Sequence, residues 1–169
     1  MSYAFVIIML FLATNVFAFE VKSNAFKQGE SIPVQYTCDG KDISPDIAWS
    51  DIPLKTQSLV LICDDPDAPV GTWVHWVIFN ISPKKTGLFE NMLKQALPGD
   101  GMMQGVNDFG KNGYGGPCPP PGKPHRYFFR LYAIDTKLLL GVKATKKLVL
   151  DAMEGHIIGQ AEIYGTYSR

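Results

Sequence analysis

The 169-residue sequence predicts one mainly β domain, an antiparallel or mixed sheet arrangement with a single clear helix. Three observations carry this. Runs rich in Val, Ile, Leu, Phe, Tyr and Trp recur at strand length, as in Ser58–Cys63, Thr72–Ile81 and Arg126–Asp135. Glycine (16) and proline (12) break the chain between such runs. Only Thr145–Glu154 combines a capping residue with apolar positions at helical spacing.

The first 18 residues read as a removable address. Ala4–Ala13 is nearly all apolar but short for a membrane span, and Val16-Phe17-Ala18 puts small residues where a signal peptidase cuts. No Lys or Arg precedes the run, so the terminal amine alone would supply the positive end. The expectation is cleavage after Ala18 and a single domain over 19–169. The protein would then be exported, periplasmic or secreted, without a stable membrane anchor.

Phe19–Ser23 alternates and predicts a first strand. Ile32–Tyr36 predicts a second, whose Pro33 suits a strand start or an edge. Asp39-Gly40 marks a turn, and Ile47–Trp49 a short strand. Ser58–Cys63 is a buried strand entering the turn Asp64-Asp65-Pro66-Asp67-Ala68-Pro69, where each proline ring locks its own φ and restricts the residue before it. Thr72–Ile81 is the longest strand. Simple alternation puts Trp73, His75, Val77 and Phe79 on one face and Val74, Trp76 and Ile78 on the other. Leu88, Met92, Leu93 and Ala96 give Gly87–Ala96 a weak helical pattern. The rest of Ser82–Lys123 is irregular, yet its Met102, Met103, Val106, Phe109 and Tyr114 argue for a packed, functional loop over disorder. Arg126–Asp135 is a strand with Tyr127, Phe129, Leu131 and Ala133 on one face, and Ala161–Tyr167 closes the chain as another.

Sixteen basic and 16 acidic residues cancel. A neutral chain without a basic run carries no electrostatic footprint for nucleic acid or an anionic membrane. Of three cysteines, Cys63 lies in an apolar strand and reads as a small buried hydrophobe. Cys38 and Cys118 fall in loops, where they are either bridged to each other or free. No Cys-x-x-Cys pair is present, which argues against a zinc cluster, and no cofactor is expected.

His75 sits in a strand apolar on both faces, close to the acidic turn, and a buried imidazole needs a partner or a ligand. His125 opens the later strand behind a glycine- and proline-rich loop. If the two strands are neighbours, Asp65, Asp67, His75, His125 and Tyr127 converge. Two imidazoles, a phenol and the backbone N–H groups of Gly113–Gly116 would make a small anion site for phosphate or carboxylate. The plainer alternative leaves His75 as a satisfied core residue, with Asp65 and Asp67 capping the turn. Arg126 reads as a surface or salt-bridging residue, and His156 as a structural or capping residue at the helix end.

Asp65-Pro66-Asp67-Ala68-Pro69 followed by Trp73-Val74-His75, with Gly116-Pro117 and Pro124-His125-Arg126-Tyr127, resembles the phosphatidylethanolamine-binding protein family. Tyr36–Gly40, Ser44-Pro45, Asn107–Gly110 and Tyr114–Gly122 resemble its bacterial, Raf kinase inhibitor-like branch, and the similarity runs from about Phe19 to Arg169. The resemblance implies a central antiparallel sheet, a smaller second sheet and peripheral helices. It also implies an anion pocket at one end of the sheet, formed by Asp65, His75, Gly116, His125 and Tyr127. Asp67, Pro69, Trp73 and Pro117 would form its rim. The expected function is non-catalytic binding of a small anionic or phosphorylated ligand, with a homodimer as a possible assembly. Inhibition or regulation of a protease or other protein partner is the alternative. Hydrolysis through the Asp–His pair ranks lower, because the sequence places no Ser or Cys nucleophile beside a histidine apart from Cys118. Zinc held by the histidines and an aspartate is a further alternative, although those residues lack a compact spacing.

Overall fold

The structure, a computed structural model, describes residues 18–169, so the expected signal peptide lies outside the described residues but for Ala18. Eight strands and one α-helix follow in order: β1 (Glu20–Lys22), β2 (Ile47–Ser50), β3 (Ser58–Asp65), β4 (Trp73–Ile81), β5 (Gly87–Leu88), β6 (Met103–Gln104), β7 (His125–Ile134), α1 (Lys146–Met153) and β8 (Ile157–Tyr167). They build a five-stranded sheet in the order β6-β4-β3-β7-β8 and a three-stranded sheet in the order β1-β2-β5, with every strand pairing antiparallel. This is the mainly β architecture expected from the residues, in the two sheets that the family resemblance implies.

β3 is central because nothing along it tolerates water: all eight of its residues are buried. Its alternation divides the interior in two. Leu59, Leu61 and Cys63 face the small sheet, in a core with Ile47, Trp49, Trp76, Tyr127 and Phe129. Val60 and Ile62 face the other way, onto Val77, Phe79 and the inner side of α1, Val149 and Met153. Full burial of each such side chain contributes about 1.5–3 kcal/mol. Thr145 caps the helix by accepting from the Leu148 N–H, and Gly155, at φ +78°, turns the chain out of it. Cys63 is a buried free thiol, as its strand context implied, and burial pushes its pKa up.

Two elements differ from the sequence reading. Ile32–Tyr36 is not a strand. Val34–Tyr36 forms a 3-10 turn behind Pro33, closed by the Thr37 hydroxyl donating to the Val34 carbonyl at 2.8 Å. Gly87–Ala96 is not helical either. Gly87–Leu88 is the edge strand β5, Asn91 adopts φ +60°, and the side-chain amide of buried Gln104 donates to the carbonyls of Leu93 and Gln95 at 2.7 Å each. A side chain that claims these carbonyls competes with the helical ladder.

The face assignment along β4 also changes. Trp76 pairs with Cys63 but Val74 pairs with Asp64, which leaves His75 as the extra residue of a β-bulge. The cause lies in the irregular loop alongside. Val74 donates its N–H to Asp108 Oδ2 (2.7 Å) and accepts from the Asp108 N–H (2.9 Å), while the His75 carbonyl accepts from the Gly115 N–H (2.9 Å). The bulge breaks the period of two. Val74, Val77 and Phe79 face the helix side, whereas Trp76 and Ile78 face the small sheet. His75 joins the latter side, its ring edge-on to Tyr127.

Candidate functional site

Three neighbouring strands deliver the polar groups of one small cleft: β3 supplies Asp65, β4 supplies His75, and β7 supplies His125 and Tyr127. The cleft encloses about 190 Å³ at one end of the large sheet. Pro69 and Trp73 are among its lining residues, with Ala68, Val70, Phe109, Cys118, Pro119 and Pro120.

Each polar group is fixed from behind. Asp65 accepts from His125 Nδ1 through Oδ2 (2.7 Å) and from the Asp67 N–H through Oδ1 (2.8 Å), so one carboxylate orients the imidazole and closes the turn. His75 Nδ1 lies 2.7 Å from the Gly115 carbonyl. A carbonyl and a carboxylate only accept, so both histidines carry the proton on Nδ1. Nε2 of each has no protein partner among the described residues and faces the cleft side. Burial lowers the pKa of His75, keeping it neutral near pH 7.

Tyr127 is 0 % exposed, and among the described residues its hydroxyl is the buried side-chain polar atom without a hydrogen-bond partner. Burial raises its pKa far above the ordinary value, with the charge of Asp65 adding to the shift, so the phenol stays protonated and is a donor. Leaving such a group unpaired costs about 1–3 kcal/mol. The cleft is therefore bounded by a neutral phenol sealed from water and by two imidazoles, around a space of about 190 Å³.

Three predicted site residues stand elsewhere. Asp67 turns away from the cleft and grips Arg126, accepting from its backbone N–H (3.0 Å), Nε (2.8 Å) and Nη2 (2.7 Å). That guanidinium lowers the Asp67 pKa to about 2. Pro117 is buried behind the wall, where its carbonyl accepts from the Cys38 N–H at 3.1 Å. The Gly116 N–H is donated to Asp42 Oδ1 at 2.6 Å, so it does not enter the cleft. A Cβ at Gly116 would sit 2.4 Å from the Tyr36 carbonyl oxygen, and glycine is needed there for close packing. Cys38 and Cys118 are joined by a disulfide, and Cys118 presents that bridge to the cleft. His156 pairs with Asp135 at 2.8 Å beyond the helix end, outside the site.

Phe109, read from the sequence as part of a packed loop but not as a site residue, also lines the cleft. Its backbone is held by Asn107, whose Oδ1 accepts from the N–H groups of Phe109 (3.0 Å) and Lys111 (3.1 Å). Its ring meets Trp73 and His75 edge-on, with centroids 5.5 and 5.4 Å apart. The available signal was Asn107-Asp108-Phe109-Gly110, an Asx-type turn lifting an aromatic residue out of a loop. Among the described residues, no three His, Cys, Asp or Glu side chains are placed to share a metal ion.

The architecture and the sequence have close counterparts. An Escherichia coli protein, YbcL, described as a member of the mammalian PEBP family, superposes with a TM-score of 0.84 at 36 % identity, over 90 % of this chain and 99 % of its own. A phosphatidylethanolamine-binding protein homologue from Chlamydia trachomatis gives 0.82 at 42 % identity, over 90 % and 98 %. A UPF0098 protein of Methanothermobacter thermautotrophicus is 55 % identical over 149 residues, 88 % of this chain and 98 % of that one. The profile of the phosphatidylethanolamine-binding protein family matches residues 22–168, which hold β2 to β8 and every lining residue of the cleft. With fold, sequence and profile in agreement, the chain belongs to the phosphatidylethanolamine-binding protein family.

Proposed function

We propose that the protein binds a small anionic or phosphorylated ligand in the cleft between Asp65, His75, His125 and Tyr127, without chemically transforming it. The observation that carries this reading is the Tyr127 hydroxyl, fully buried and unpaired beside two imidazoles. A phosphoryl or carboxylate oxygen accepts from that hydroxyl. The two imidazoles take a proton from the ligand, or gain one from solvent and donate. Non-catalytic binding is favoured because, among the described residues, no Ser or Thr hydroxyl lines the cleft, and Cys118 is held in its disulfide. That bridge also favours an oxidising compartment, in keeping with export.

Titration with inorganic phosphate and with phosphoethanolamine, followed through the imidazole resonances by NMR, tests the reading. Saturable shifts at His75 and His125, with His156 unmoved, are expected. Absence of a shift at both cleft histidines overturns it.

A second reading, an exported inhibitor or regulator of a protease or other protein, draws on the rim. Val70, one of the cleft's lining residues, is 80 % exposed, and exposed apolar surface beside a cleft suits a protein partner.

A further inference from the structure

The cleft has a larger neighbour. A second cavity of about 490 Å³ lies on the other side of Phe109 and the Cys38–Cys118 bridge, lined among others by Lys94, Lys111, Asn112 and Tyr114. Phe109 and Cys118 border both spaces. Cys118 is pinned by its disulfide, so the movable part of the partition is one aromatic ring.

The Phe109 backbone is fixed by Asn107, while the side chain is 40 % exposed and meets Trp73 and His75 edge-on. It also depends on a glycine. A Cβ at Gly115 would come within 2.6 Å of ring atoms Cδ2 and Cε2, so the bare backbone of Gly115 is what lets the ring lie across the gap.

We propose that Phe109 is the size-selecting wall of the anion cleft: its ring confines the ligand to a small head group by closing the cleft against the larger cavity behind it. The inference rests on the anion-binding reading and deepens it. With the ring in place, about 190 Å³ receives the head group and a bulky substituent next to the anion meets an aromatic edge. With the ring gone, the two cavities become one, and an anion bearing an aromatic substituent fits with its head against Tyr127 and its ring beside Tyr114.

The test compares wild type, Phe109→Ala and Gly115→Ala, using inorganic phosphate, benzyl phosphate and uncharged benzyl alcohol as probes and the His75 resonance as reporter. Gly115→Ala displaces the same ring without deleting it, and guards against a loop collapse specific to Phe109→Ala. The expected result is that the affinity ratio of benzyl phosphate to inorganic phosphate rises about tenfold or more in Phe109→Ala, and in the same direction in Gly115→Ala. Benzyl alcohol should shift His75 saturably in the variants and not in wild type. An unchanged ratio in both variants overturns the proposal. Failure of phosphate to shift any histidine in wild type instead removes the anion-binding reading. The benzyl alcohol arm then still decides the wall: a shift confined to the variants upholds it, and equal behaviour in all three proteins overturns it.

Discussion

His75 and Tyr127 meet edge-on with ring centroids 5.1 Å apart, although their strands, β4 and β7, are separated by the whole width of β3. The contact exists because the bulge at His75 turns that side chain onto the small-sheet side, where the regular alternation of β7 places Tyr127. Asp65, on the intervening strand, completes the arrangement by holding His125.

The Tyr127 hydroxyl yields a prediction with two opposed signs. Tyr127→Phe removes a buried donor without a partner, and should raise the stability of the ligand-free protein by roughly 1 kcal/mol. It should also weaken phosphate binding about tenfold, because the variant loses the donor itself. Thermal denaturation and calorimetric titration of the same sample check both signs. A variant that loses stability and retains affinity contradicts the assignment.

Protonation of His75 sets a pH dependence. Its folded-state pKa is depressed by burial, so its contribution to stability is fully present above the ordinary value near 6.5 and is lost as pH falls from there through the folded value. Ligand-free protein should therefore lose denaturation midpoint below pH 6.5, less so in His75→Gln. A bound anion supplies the countercharge that burial withholds, so sulfate, which keeps its charge over this range, should bind more tightly as pH falls. A pH-independent sulfate affinity contradicts proton-coupled binding.

The disulfide tethers the wall of the cleft. Cys38 and Cys118 are 80 residues apart, and between Pro117 and Gly122 the consecutive Pro119, Pro120 and Pro121 have no N–H to donate. Cys118→Ser should cost about 2–4 kcal/mol under oxidising conditions and nothing in excess reductant. Denaturant midpoints with and without reductant measure the difference.

On the opposite face of β3, buried Asp64 is held by Arg130 Nη1 at 2.5 Å and by Lys146 at the start of α1. Arg130→Met leaves that carboxylate with one cation and should cost about 3 kcal/mol, while the same change at exposed Lys147 should cost under about 0.5 kcal/mol. Comparable losses at the two positions would show that the buried pair contributes no more than a surface one.

Local chemistry alone determined much of this protein. Uninterrupted apolar runs made β3, β4 and β7, Thr145 and Gly155 bounded the helix, and the acidic turn, two histidines and tyrosine stood out as groups that would meet if their strands were neighbours. These features are legible because periodicity, capping and proline rigidity act over a few residues. Tertiary structure decided the rest, through contacts between residues far apart in sequence. Asp108 and Gly115 take the backbone groups of Val74 and His75 and so create the bulge that no alternation rule along β4 contains. Gln104 claims the carbonyls that a helix over Gly87–Ala96 would need. Arg126 draws Asp67, and Asp42 draws the Gly116 N–H, away from the cleft, while Gly115 makes room for Phe109 to become its wall. In each case a polar group had more than one possible partner, and only the folded chain fixed which one lay within hydrogen-bonding distance.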